Sequence, residues 1–282
     1  MARRRNGNRL HAVAGLPGVE LLEADFSGQP FGRHAHDAFA IGAIDDGVGG
    51  YDCRGARHAL PRHTLSLMNP EEPHTGYAVS ERLRYKMLYV TEGALRRWLD
   101  VKAVRGFREL TPADDGRAVS AGLARVHGTL TGPKAPGWRL ALEEEVLGLI
   151  SEVFSRHAGL RERRAGREKE AVRRTREYIT QVAHEARKDG PAADGGLSLA
   201  VLAGRVGFHS NYLLQCFTEQ VGISPYAFWL VRRIEAAKGL LAEGARPVDV
   251  AYQLGFYDHA HFIRTFKKVT GVTPGGFVVH GR

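Results

Sequence analysis

At 282 residues, 43% of them hydrophobic and 25% charged, the chain is long enough for two globular domains, and no apolar run reaches the length that spans a bilayer. Cys53 and Cys216 are too few for a disulfide framework or a cysteine zinc site, and Arg3-Arg4-Arg5 leads to Glu20 and Glu23 rather than to an apolar stretch, so a cytoplasmic protein with no membrane partner is expected. The formal net charge of +9 is uneven: residues 159–282 hold 19 Lys+Arg against 12 Asp+Glu, whereas residues 1–158 hold 21 against 19, so the basic excess lies in the C-terminal half.

From 19 to 90 the chain alternates short β-prone runs with turn signals: Asp45-Asp46-Gly47, Gly49-Gly50, Arg54-Gly55, Pro61, Asn69-Pro70 and Pro73. This spacing predicts a small antiparallel barrel or sandwich. Residues 115–130 and 137–157 then carry helical periodicity. In the second of these helices Leu140, Leu147 and Phe154 fall seven apart, beside a row of Val146, Ile150, Val153 and His157. Such a row fits a stripe on the protein's own core or a dimer seam, and two heptads do not choose between them. The charged stretch 159–170 is expected to be a linker between a domain at 1–158 and another at 171–282. Val172, Tyr178, Ile179, Val182 and Ala183 predict the helix that opens the second domain, with a stop near Asp189-Gly190-Pro191.

The last 85 residues contain a duplication. Leu213, Phe217, Gly222, Pro225 and Phe228 recur 49 residues later as Phe262, Phe266, Gly271, Pro274 and Phe277. Ala203 and Gly207-Phe208 recur one residue closer, as Ala251 and Gly255-Phe256. In each copy a helix ends at a glycine and a second helix follows, with two apolar anchors four apart facing inward. Ser198 is placed to cap the first helix of the first copy, and its second helix starts near Ser210. The outward positions are then Asn211, Leu214, Gln215 and Thr218 in the first copy. In the second they are His259, Ala260, Ile263, Arg264 and Lys267. Arg264 can pair with guanine, Asn211 and Gln215 with adenine, while Leu214, Ala260 and Ile263 offer contact to a thymine methyl and Lys267 suits phosphate. Ser224-Pro225 starts a connecting helix that Gly244 stops, about 27 Å long for roughly 18 residues, close to the ~34 Å that separates successive major-groove faces. Two helix-turn-helix motifs in one chain fit duplex DNA held at two places.

Further likeness lies in Leu202-Ala203, Arg232-Arg233-Ile234, Ala237-Lys238, Leu240-Leu241, the run Phe262 to Lys268, and Thr273-Pro274. Residues 197–277 resemble the DNA-binding domain of the AraC/XylS family of bacterial transcriptional regulators. The resemblance implies operator DNA as a partner, with RNA polymerase and a second copy of the chain as further candidates. It also assigns the base-facing places to Asn211, Leu214 and Gln215, and to His259, Ala260, Ile263 and Arg264. The chain departs from the family pattern at His209, where a capping serine is usual, and at Val278, where an arginine is common.

On His34-Ala35-His36, Gly50-Tyr51, Arg54-Gly55, Asn69-Pro70 and Pro73-His74-Thr75-Gly76, residues 19–90 resemble the cupin-like barrel that precedes this DNA-binding domain in many family members. The fold expected is therefore α+β: an N-terminal cupin-like antiparallel β-barrel with two packed helices, and a C-terminal all-α domain with two helix-turn-helix motifs joined by a long helix. A small-molecule effector is expected against His34, His36, Phe39, Tyr51, His74 and Tyr77, with Tyr85 and Tyr89 as additional aromatic wall. His34 and His36 share a strand face and His74 can approach from a neighbouring strand. Three imidazoles suit zinc, iron or manganese, which keeps a metal-dependent cupin enzyme with a DNA-binding tail as an alternative. Residues 38–44 offer no carboxylate, so neither a metal nor any cofactor is expected. A regulator that binds DNA constitutively is the third reading.

Overall fold

The computed structural model describes residues 7–26, 31–101, 104–160, 166, 168–189 and 196–277. Half of the expected linker, 161–165 and 167, lies outside the described residues. The chain forms two compact units: Met1–Gly132 with Glu145–Glu162, and Pro133–Glu144 with Arg163–Arg282.

In the first unit two antiparallel sheets make the small sandwich expected from the turn spacing, and they fit the cupin-like fold that the resemblance implies. One has five strands in the order β1 (Arg9–Ala12), β2 (Val19–Phe26), β9 (Leu83–Thr91), β4 (Ala38–Asp46), β7 (Leu65–Met68). The other has the order β3 (Phe31–His34), β8 (His74–Ala78), β5 (Gly49–Cys53), β6 (Ala56–Leu60). Register explains how the larger sheet divides its faces. Leu21, Leu88, Ile41 and Leu67 lie side by side across β2, β9, β4 and β7, each wholly buried. One residue along, the row Leu22, Met87, Gly42 and Ser66 points to the opposite face. Helix α2 (Gly116–Thr131) packs on β4, β7 and β9. Phe154 of α3 (Trp138–His157) meets Phe39 and Phe107 at ring distances of 5.1 and 4.9 Å. The apolar row of α3, including Leu140, Val146, Leu147, Ile150, Val153 and Phe154, is buried within the chain, which makes it core rather than an open seam.

Sequence periodicity did not reveal α1 (Glu92–Leu99). It follows β9 without a glycine or proline break, and its signal is the cap: the Thr91 hydroxyl accepts from Ala94 N at 3.2 Å.

The second unit is helical, with α4 (Lys169–Asp189), α5 (Leu199–Val206), α6 (Ser210–Val221), α7 (Pro225–Ala242), α8 (Pro247–Gln253) and α9 (His259–Thr270). Ser198, Ser224 and Asp258 cap α5, α7 and α9 with their side chains, and Gly207 turns the chain at φ 72° between α5 and α6. The connecting helix α7 has the expected 18 residues and carries Ile234, Ala237 and Leu240 into one cluster with Val250, Ala251, Leu254, Phe256, Phe262 and Phe266. Arg233 is 1% exposed in the same region. Its guanidinium donates to Leu254 O and lies over the rings of Trp229 and Phe256 at 4.4 and 4.0 Å.

The opening turns of α3 belong to this unit. Glu143 Oε2 accepts from Leu199 N at 2.5 Å and Ala200 N at 3.3 Å, while Glu144 Oε1 accepts from Tyr226 N at 2.7 Å. Two consecutive carboxylates therefore satisfy the N-termini of α5 and α7, where backbone N–H groups lack helical partners. Glu143 is 2% exposed, and burial pushes its carboxyl up to about 7 against the opposing pull of the two N–H donors and of Arg139.

Candidate nucleic-acid interface and effector cavity

The two recognition helices differ in what they present. On α9, His259, Ala260, Arg264 and Lys267 are exposed and Ile263 is half-buried, while Phe262 and Phe266 are wholly buried behind them. The helix holds no acidic residue, and Arg264, Lys267 and Lys268 give it a basic outer face. Such a face can meet phosphates and base edges together. On α6 the anchors Leu213 and Phe217 are likewise wholly buried, and Cys216 fills the same interior.

The outward face of α6 is covered progressively toward its start. Thr218 is exposed, Leu214 and Gln215 are half-buried, Asn211 is 3% exposed and Ser210 8%. Ser210 and Asn211 thus correct the expected set: in this structure they offer no edge to a groove. A helical wheel orients a residue only against its partner helix, whereas the first turn of α6 is also met by the segment around Gly166 and Glu168. Tyr212 Oη donates to Glu168 Oε1 at 2.9 Å and accepts from Gly166 N at 3.3 Å. His209 makes no side-chain capping bond, as its departure from serine implied.

The first unit holds a cavity of about 170 Å³ between its sheets, partly open to solvent. Its apolar wall includes Leu22, Ile44, Met68, Leu83 and Met87, and its aromatic wall Tyr51, Tyr77, Tyr85 and Tyr89. Gly50 matters for shape, because a Cβ there would come within 2.6–2.7 Å of the Tyr77 ring and hydroxyl, which lie against the backbone. Phe39 is a correction. It does not line the cavity but packs with Phe107 and Phe154, since on β4 the even positions Ala40, Gly42 and Ile44 face inward and Phe39 has the opposite parity. Ser66, which the sequence reading missed, lines the cavity because it pairs across β7 and β4 with Gly42 in the inward row.

His34, His36 and His74 all border this cavity, with ring centroids 4.4–5.2 Å apart. His34 and His74 are cross-strand partners on β3 and β8, but His36 lies past the end of β3 rather than on it. Nδ1 of His34 is 2.7 Å from Gly32 O and Nδ1 of His74 is 2.9 Å from Glu72 O. A carbonyl can only accept, so each Nδ1 carries the hydrogen, and in the neutral ring Nε2 is the acceptor nitrogen. Burial, then the neighbouring His34 and His74, lowers His36 to about 4, and burial lowers His74 as well. One nitrogen from each of the three rings lies within 4.8 Å of the others, an arrangement that could hold a transition metal, with backbone carbonyls orienting two of the rings. Among the described residues two other clusters of this kind, at His11, Glu23 and His127 and at Asp114, Asp115 and His157, contain His–carboxylate pairs at 3.3 and 3.1 Å. Arg54 serves the frame rather than the cavity, bonding Glu72 and the carbonyls of Phe107 and Arg108.

Comparison with known proteins matches these two units to two family models. Residues 16–150 match an AraC-like ligand binding domain, and residues 202–278 match a helix-turn-helix domain. The uncharacterized HTH-type transcriptional regulator YbfI of Bacillus subtilis is 28% identical over 239 residues, 83% of this chain and 82% of that protein. The arabinose operon regulatory protein of Escherichia coli is 36% identical over 86 residues, 30% of each protein. Among solved structures, a Cupin 2 conserved barrel domain protein from Salinispora arenicola is 17% identical, covering 34% of this chain and 85% of that one at a TM-score of 0.29. No helix among the described residues is long and apolar enough to cross a membrane. A ligand-binding domain followed by a duplicated helix-turn-helix, each matched by its own family model, makes the chain a member of the AraC family of transcriptional regulators.

Proposed function

We propose that α9 enters a major groove with His259, Ala260, Ile263 and Arg264 toward the bases and Lys267 toward phosphate. Helix α6 reads the neighbouring groove through Leu214, Gln215 and Thr218. The observation that carries this reading is the exposed, wholly non-acidic outer face of α9, set in the same frame of buried anchors as α6. Residues 171–282 then serve as the DNA reader, 1–158 as the sensor and 159–170 as the linker, with His34, His36, Tyr51, His74 and Tyr77 facing the effector. The protein performs no catalysis in this reading, which its similarity to named transcriptional regulators supports. It works in the cytoplasm as a homodimer, with RNA polymerase as a further partner.

Footprinting of the full-length protein on selected DNA tests the double head. One chain should protect two major-groove segments on one side of the duplex, about one helical turn or 10 bp apart. Protection of a single segment would leave α6 without a reading role.

A further inference from the structure

The composition of the barrel wall restricts what it can bind. Among the described residues that line the cavity there is no Lys, Arg, Asp or Glu. A charged ligand entering it would lose its hydration without gaining a fixed opposite charge, which is the most unfavourable form of burial. The wall is not inert, however. The Tyr51 and Ser66 hydroxyls are buried, both residues being 2% exposed, and they have no hydrogen-bond partner beyond each other. Ser66 stands in the inward row of the five-stranded sheet, and Tyr51 comes from β5 of the facing sheet. Two buried hydroxyls that have only each other leave one O–H donor and several lone pairs without a partner, so a ligand oxygen that pairs with them recovers that part of their lost hydration. Size adds a second restriction. An apolar cavity of roughly 150 Å³ accommodates benzene, and this one is about 170 Å³.

We propose that the barrel cavity takes an uncharged molecule of single-ring size, whose hydroxyl or carbonyl oxygen pairs with Tyr51 and Ser66 while the ring lies against Tyr77, Tyr85 and Met87. This rests on the reading of the first unit as the effector sensor and narrows the class of effector. His36 and His74, whose burial favours the neutral ring, supply further donors and acceptors at the cavity's border.

The test uses full-length protein and three probes that share one ring and differ in charge: benzyl alcohol, benzoate and benzylamine, titrated by calorimetry at neutral pH. Benzyl alcohol should bind at one site per chain at least tenfold more tightly than either ion. Tyr51→Phe and Ser66→Ala should each weaken it about 3- to 10-fold, the worth of one hydrogen bond. Because Tyr51→Phe keeps the ring and Ser66→Ala removes a single oxygen, thermal melting of each variant shows that the fold is retained. Benzoate binding as tightly as benzyl alcohol, no binding of benzyl alcohol, or binding indifferent to both substitutions overturns the proposal. So does benzoate binding that a chelator abolishes, which would assign a charge to a metal held by the histidines. Operator affinity measured with and without benzyl alcohol separates the two levels: a probe that binds as expected yet leaves that affinity unchanged contradicts the sensor reading and leaves the cavity assignment standing.

Discussion

Replacing Arg264 with alanine is expected to weaken binding to the cognate site by about 1–3 kcal/mol and to relax base preference at one or two positions. Arg264 is exposed on the outer face of α9, one turn after Ala260 and between the wholly buried anchors Phe262 and Phe266. Its guanidinium can donate two parallel hydrogen bonds to guanine, a geometry that lysine does not reproduce, so Arg264→Lys should recover charge without recovering preference. Lys267→Ala gives the contrast. It should lower affinity nearly uniformly across sequences and flatten the salt dependence, as loss of a phosphate contact does. Binding to the cognate site and to its point-substituted versions distinguishes the two behaviours. Equal affinity and equal preference for wild type and Arg264→Ala would remove that residue from the base-reading set.

The second large effect concerns Glu143. Its carboxyl is raised from 4.5 to about 7 by burial, so the folded protein retains a proton that the unfolded chain releases at lower pH. The stability this group confers is complete below about pH 4.5 and declines as pH rises through 7. A shift of this size corresponds to roughly 3 kcal/mol. Glu143→Gln keeps an oxygen for Leu199 N and Ala200 N but cannot ionise. Relative to wild type, its second unit should therefore gain about 3 kcal/mol between pH 4.5 and pH 8. Chemical denaturation followed through the buried Trp229, at both pH values, reads this directly. A difference between variant and wild type that is the same at both pH values would mean that no charge is being buried at the start of α5.

What the sequence made legible follows from the range of the interactions involved. Caps and glycine stops act within one helical turn, and Ser198, Gly207 and Ser224 all stand at the ends they predicted. The inward anchors Leu213, Phe217, Phe262 and Phe266 were equally plain, because a helix has only one face for its partner. Parity along β4 decides Phe39, but its phase could be fixed only by knowing that Gly42 lies opposite Ser66 and Met87. Long-range packing was out of reach. Asn211 is covered although its wheel position is outward, and Glu143 reaches Leu199, 56 residues away. A signal for Glu143 did exist: it lies three residues before Val146 on the row that runs through Ile150 and Val153, a carboxylate on an otherwise apolar stripe.

The most direct test of the protein as a DNA-reading regulator is the equilibrium affinity of the full-length chain for a selected site and for a scrambled duplex, measured from 50 to 200 mM salt as an order-of-magnitude range. Affinity for both duplexes should fall linearly on logarithmic axes as phosphate contacts release counterions, with the selected site preferred by about 10³-fold or more at every salt concentration. Folded protein that binds neither duplex, or both equally, would contradict the account.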